Sequence, residues 1–190
     1  MPIYLLPPVT HEKTAMARID YADTARPENI ELVERIKRER GGRMLNLYRM
    51  LMHSPPVAAG WCSLFTAIRQ QGVLSGRVRE LAILRIAVIN GADYEFSAHV
   101  PFALKEGLTQ TQLDTLKAGG DPDGLTDNDH AVLAYTDAMT KHVRVPQALF
   151  EAVRKQFNER ELVELTATIG GYNLVSRFLE AMQIDHDKHP

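Results

Sequence analysis

Apolar residues recur along this chain at three- and four-residue intervals, interrupted by glycine and proline, and strand-like alternation is nowhere sustained. The first periodic segment is PENIELVERIKRER. Pro27 suits a first helical position, Glu28 and Glu31 complement the positive end of the dipole, and Gly41-Gly42 stops the helix. MLNLYRMLMHSP places Leu45, Tyr48, Leu51 and Met52 at helical spacing and ends before Pro55-Pro56. A helix over Val57–Gln71 follows, then one over Arg77–Ile89 with Ser75 as its N-cap. Asn90-Gly91 breaks it, and Asp93 is placed to cap a helix over Tyr94–Glu106. Thr109 with Gln112, and Thr126 with Asp129, read as capping boxes for two more helices, ending near Ala118 and His142. Val145-Pro146 and Glu159-Arg160-Glu161 open the last two. The pattern predicts an all-α fold of eight or so helices with short connections. Residues 1–26 read as an irregular arm, so the expected division is an N-terminal arm and helix over 1–43 and a helical domain over 44–190.

An internal echo runs through this pattern. Arg79-Glu80-Leu81 with Leu84 and Val88 recurs as Arg160-Glu161-Leu162 with Leu165 and Ile169, always 81 residues apart. Each copy leads into an apolar helix and then glycine, Gly91 in one and Gly170-Gly171 in the other. Two duplicated helical-hairpin units, or chance likeness between short apolar helices, give this pattern.

Three polar residues stand out against the apolar background of RELAILRIAVINGADYEFSAH. Glu95 and His99 are four apart and share one helix face. Glu95 falls in a first turn, where the dipole favours a carboxylate, and a carboxylate beside His99 favours the imidazolium. Glu80 lies nineteen residues before His99, on a helix apolar almost all round. A fold-back at Asn90-Gly91 brings it to the same imidazole. An unpaired buried carboxylate is costly, so Glu80 needs such a partner or a place at the helix start. Two carboxylates around one imidazole make a proton-transfer device. The bland alternative is a dipole glutamate plus an ordinary i,i+4 surface pair.

Composition narrows the function classes. The chain has 190 residues, 45% hydrophobic and 24% charged, with a net charge of −2. These values suit a globular domain and give no basic field for nucleic acid. No apolar run approaches the roughly 20 residues of a membrane span, and MPIYLLPPVTHEK lacks the parts of a signal peptide. Cys62 is the only cysteine, which excludes an internal disulfide or Cys-x-x-Cys chemistry and points to a cytoplasmic setting. Its place between Trp61 and Leu64 reads as a core thiol. The ERIKRER run reads as a solvated helix face, and His186 and His189 belong to a polar, disordered tail. A metal on Glu80, Glu95 and His99 matches no dedicated spacing. His53 ends a helix and is either a pocket residue or a dipole complement, and Arg85 is a candidate fork for a substrate carboxylate although it is off the Glu80 face.

RELAILRIAVINGADYEFSAH closely resembles the carboxymuconolactone decarboxylase family, which belongs with the alkylhydroperoxidase D-like (AhpD-like) proteins. The likeness extends over roughly 44–185 and includes His53-Ser54-Pro55, Trp61, the Leu84-Arg85 step and HVRVPQALFEAVRKQFNERELVELTATIGGYN. Glu80 matches the family's glutamate and His99 its histidine. The peroxidase branch carries a Cys-x-x-Cys pair whose positions hold Ala92 and Glu95 here, so a thiol relay is not expected. The YEFSAH run is similar to the YEWxxH form of the cysteine-free branch, with Phe96 where tryptophan is common. The resemblance implies an AhpD-like helical fold and a homo-oligomer, dimer to hexamer. It also implies cofactor-free decarboxylation or isomerisation of a small lactone or aromatic-derived acid. Glu80, Glu95 and His99 would be catalytic, with His99 delivering the proton, and His53, Arg85, Tyr94 and Trp61 would bind substrate. A non-catalytic ligand-binding relative, and a peroxidase acting through Cys62, are the alternatives.

Overall fold

The computed structural model describes residues 17–187. Among them the chain forms α-helices and short connections, with no strand. The helices are α1 (Ile30–Glu39), α2 (Asn46–Leu51), α3 (Pro55–Thr66), α4 (Gly76–Asn90), α5 (Asp93–Lys105), α6 (Gln110–Lys117), α7 (Asp127–His142), α8 (Gln147–Arg154) and α9 (Glu159–Met182). A 3-10 turn at Pro27–Asn29 leads into α1, and a π-helical turn, Ala67–Gln71, extends α3. The fold is all-α, as the periodicity predicts. Most of the expected arm and the whole of His189 lie outside the described residues.

Helix α4 is the axis of the fold because it has no polar face. It packs against α5, α7 and α9. Ala82, Ile83 and Ile86 enter one buried cluster with α2, α3 and α9, while Leu81, Leu84 and Ala87 enter a second with α5 and α6. An all-round apolar helix of this length is stable in water only when enclosed. Ser75 caps it by accepting from the Val78 N–H, and Gly91 ends it at φ 66°, a left-handed conformation that turns the chain back into α5. Both predicted capping boxes form, at Thr109 and Thr126, and Asn158 adds a third at the start of α9.

Three local expectations are corrected. Ala92, not Asp93, occupies the N-cap of α5, and Asp93 is the first helical residue. The glycine break expected at Gly170-Gly171 is absent, and α9 runs unbroken for 24 residues. The glycines serve close approach instead: a Cβ on Gly171 would lie 3.2 Å from Phe65 Cε1 and 3.3 Å from Ile68 Cδ1. The second copy of the echo is therefore one long helix packed on α4. The polar tail is ordered as far as it is described. Asp187 accepts from the Tyr94 hydroxyl and from the Asn46 N–H at 2.7 Å, while Asp185 accepts from the Tyr21 hydroxyl at 3.0 Å.

Helix α1 shares the main core through Val33 and Ile36. Its last turn delivers Glu39 and Arg40 to a cavity between α1, α2, α3, α5 and α9.

Candidate active site

Fold-back at Gly91 brings Glu80 of α4 and His99 of α5 together in the interior. Glu80 Oε2 lies 2.6 Å from His99 Nδ1, and Glu95 Oε1 lies 3.0 Å from His99 Nε2. All three residues are buried, at 1%, 3% and 4% exposure for Glu80, His99 and Glu95. Glu80 Oε1 also accepts from Arg79 Nε at 3.2 Å. The imidazole is thus clamped at both nitrogens, in the convergence that the spacing of the trio predicts.

Electrostatics follow from this clamp. Burial alone pushes His99 toward its neutral form. The hydrogen bonds to Glu80 and then Glu95 outweigh it and hold the imidazolium above the ordinary histidine range. For Glu80, burial pushes upward, and the His99 hydrogen bond and charge overcome it and hold the carboxyl below its usual range. Both partners of the buried pair therefore shift toward the charged state.

The trio meets a cavity of about 420 Å³. Glu95 and His99 form part of its wall, while Glu80 supports His99 from behind. Trp61, Phe65, Phe102 and Tyr172 supply its aromatic surface, and Tyr172 meets the His99 ring edge-on at 5.1 Å between centroids. Pro101, inside α5, removes the N–H that would bond the Ser97 carbonyl, and both residues line the cavity. Among the described residues no group of three or more His, Cys, Asp or Glu is placed to hold a metal ion.

Two substrate-binding candidates from the sequence, Trp61 and Tyr94, line this cavity, and two do not. Arg85 is spent on Asp137, Nε to Oδ1 at 2.6 Å and Nη2 to Oδ2 at 2.8 Å. His53 bonds the Asp20 carbonyl at 2.8 Å and faces a separate hollow with Tyr21, Arg26 and Met52. The reason for Arg85 is the one its spacing gave: five residues from Glu80, it points from α4 toward α7.

Arg40, Arg43 and Arg69 line the cavity instead, Arg43 as an exposed side chain. Arg40, read as part of a solvated run, is buried. Its guanidinium bonds the Tyr48 hydroxyl at 2.7 and 3.0 Å, Thr66 Oγ1 at 3.0 Å and the Glu39 and Cys62 carbonyls. Helical phase gives a signal for it, because Val33, Ile36 and Arg40 fall at i, i+3 and i+7. Arg69 continues the stripe Trp61, Phe65, Arg69 at steps of four. Cys62 is a fully buried thiol, as its apolar setting suggested, and donates to Glu39 Oε2 at 3.2 Å. Burial and that carboxylate push its thiol up, away from the thiolate. Glu39 in turn is held down at about 2, chiefly by the Thr66 hydrogen bond, with Arg35 adding to it.

Comparison with known proteins agrees with this picture. Residues 55–138 match the sequence model of the carboxymuconolactone decarboxylase family, the segment that carries Glu80, Glu95 and His99. The uncharacterized protein YdfG of Bacillus subtilis is 28% identical over 115 residues, 60% of this chain and 78% of that one. A structure from Agrobacterium tumefaciens, of unknown function and described as an AhpD antioxidant defence protein, is 25% identical. It aligns at a TM-score of 0.66 over 73% of this chain and 96% of its own. The alkylhydroperoxidase AhpD core of a peroxidase-related protein from Ralstonia eutropha JMP134 aligns at 0.77, with 18% identity, over 90% and 93% of the two chains. The chain thus resembles the carboxymuconolactone decarboxylase family over residues 55–138 and has an AhpD-like fold. It lacks the Cys-x-x-Cys pair, with Ala92 and Glu95 in its place.

Proposed function

We propose that the protein is a cofactor-free acid/base catalyst acting on a small unsaturated carboxylic acid, by decarboxylation or isomerisation of a lactone or aromatic-derived acid. The observation that carries this reading is the hydrogen-bonded chain Glu80–His99–Glu95 ending on an aromatic cavity wall. A buried triad at a concave, largely apolar site is how proton-transfer centres are built.

The geometry refines the roles expected from the sequence. Both His99 nitrogens are occupied, so His99 reaches a ligand only through Glu95 or by releasing it. In the proposed reaction Glu95 is the group that meets carbon, His99 stores the proton, and Glu80 holds the imidazole and its charge. In decarboxylation the C–C bonding pair flows into the unsaturated system and CO₂ departs. The proton on His99 Nε2 passes through Glu95 to carbon, and water restores it. In isomerisation Glu95 takes a proton from one carbon and returns it to another. A positioned acid/base of this kind contributes about 10²–10⁴-fold. A thiol relay has no support here, because the cavity-wall Glu95 holds the place of one thiol and Ala92 that of the other.

A second reading, a binding protein without turnover, is favoured by the mutual satisfaction of the trio, which leaves no imidazole nitrogen free. Exposed Leu64, Phe102, Leu104 and Leu174 are consistent with the homo-oligomer that the family resemblance implies. The test is turnover of a panel of one-ring lactone acids and unsaturated acids in D₂O, followed by ¹H NMR for carbon-bound deuterium and CO₂ loss. The proposal expects activity abolished by Glu95→Gln and His99→Asn and kept by Cys62→Ser. Activity that survives both relay substitutions would sink it.

A further inference from the structure

The charged groups of the cavity wall are unequally employed. Each carboxylate is already supplied with donors: Glu39 by Thr66, Cys62 and Arg35, Glu95 by His99, and Asp187 by Tyr94 and Asn46. Arg40 spends its N–H groups on neutral oxygens. Arg69 makes no hydrogen bond or ion pair to any described residue, and its guanidinium lies over the Phe102 ring at 4.9 Å. That ring also neighbours His99, at 5.8 Å between centroids, so Arg69 and the relay flank one aromatic side chain.

The backbone that carries Arg69 is held from several directions. It forms a π-helical turn, a local widening of the helix that recurs at functional sites. Gln70 Nε2 donates to the Glu39 carbonyl at 3.0 Å, and Arg160 Nη2 donates to the Gln71 carbonyl at 3.4 Å. Glu164 Oε2 accepts from the Val73 and Leu74 N–H groups at 2.7 and 2.8 Å. A pinned turn that presents an uncommitted guanidinium to an aromatic cavity is a preorganised anion subsite.

We infer that Arg69 holds the carboxylate of the ligand, so that the substrate is a one-ring carboxylate bound as its anion, with the ring between the aromatic wall and Glu95. This rests on reading the cavity as the acid/base site. It assigns Arg69 the carboxylate-binding part expected of Arg85. A guanidinium fork suits a carboxylate in two-point contact, which fixes the ring as well as the charge.

Binding can be read without turnover, because Trp61 is the only tryptophan and lines the cavity. The experiment titrates benzoate, and benzamide as its uncharged counterpart, into the full-length protein while following Trp61 fluorescence. Wild type is expected to saturate with benzoate and to bind benzamide more weakly. Arg69→Gln is expected to weaken benzoate roughly tenfold or more while leaving benzamide unchanged. Arg69→Lys should fall between, and Arg38→Gln, exposed on α1 and away from the cavity, should match wild type. His99→Asn should still bind benzoate, which separates failure of the subsite from failure of the catalytic reading. Equal binding of benzoate and benzamide, no saturable signal from either, unchanged benzoate binding in Arg69→Gln, or an equal loss in Arg38→Gln would each overturn the assignment.

Discussion

Replacing Glu80 by glutamine removes one charge from the buried pair while keeping its shape. In the native fold His99 Nδ1 lies 2.6 Å from Glu80 Oε2, and both side chains are excluded from water. The glutamine carbonyl still accepts a hydrogen bond from Nδ1, but the imidazolium loses its closest counter-charge, and Arg79 loses its partner. Removing one member of a buried ion pair costs about 3 kcal/mol. The pH dependence follows from the directions of the shifts. The folded value for His99 is raised, so its share of the stability is complete below the unfolded histidine value of 6.5 and is lost as pH rises through the folded value. The folded value for Glu80 is lowered, so its share is present above 4.5 and lost as pH falls through the folded value. Stability from the pair is therefore greatest between the two unfolded values, 4.5 and 6.5, and falls on either side as pH approaches each folded value; Glu80→Gln flattens that profile. Urea unfolding at a fixed protein concentration, followed by far-UV circular dichroism across this range, measures it. Glu34→Gln serves as the control, since its pair with Lys37 is exposed and is expected to leave stability unchanged. A Glu80→Gln protein within about 0.5 kcal/mol of wild type at every pH would refute the buried pair.

Other consequences are checked as readily. Cys62 should resist a thiol reagent in the native fold and react fully in denaturant, because it is buried and its thiol is pushed up. Rapid native labelling would contradict its placement. Gly171→Val should lower the thermal midpoint, since even a Cβ approaches Phe65 and Ile68 within 3.3 Å, with an expected loss of about 1–3 kcal/mol. Glu164→Ala strands the Val73 and Leu74 N–H groups and should cost about 1–2 kcal/mol by chemical denaturation. Tyr94→Phe removes the hydroxyl that holds Asp187, and faster proteolysis near the C-terminus is the expected readout.

Much of this arrangement was legible in the sequence because it rests on local rules. Capping boxes at Thr109 and Thr126 are four-residue patterns, and Asn90-Gly91 marks a turn that only a left-handed residue makes easily. The Glu95–His99 pair is fixed by helical spacing. Glu80 was readable because a carboxylate within an all-round apolar helix demands a partner. The misreadings share one cause: they depended on what a residue meets across the fold. Arg40 ends a run of charges and looks solvated, yet its phase matches Val33 and Ile36 and turns it inward. Gly170-Gly171 resembles a helix stop, but Phe65 and Ile68 press against Gly171 and the helix continues. Asp185 and Asp187 look like tail residues until Tyr21, Tyr94 and Asn46 are brought beside them. Arg85 looks like an available fork in sequence, and only the position of Asp137 shows that it is engaged.

The central claim is that His99 stores a proton between two carboxylates at the wall of a ligand cavity. ¹⁵N NMR of histidine-labelled protein tests it most directly. The His99 signal is picked out from the seven histidines by its loss in His99→Asn. The account predicts an imidazole that titrates above the ordinary value of about 6.5. Both nitrogens should be protonated below that midpoint, and their resonances should move when benzoate fills the cavity. A neutral imidazole with one bare nitrogen at pH 6.5, unmoved by a ligand that Trp61 reports as bound, would contradict it.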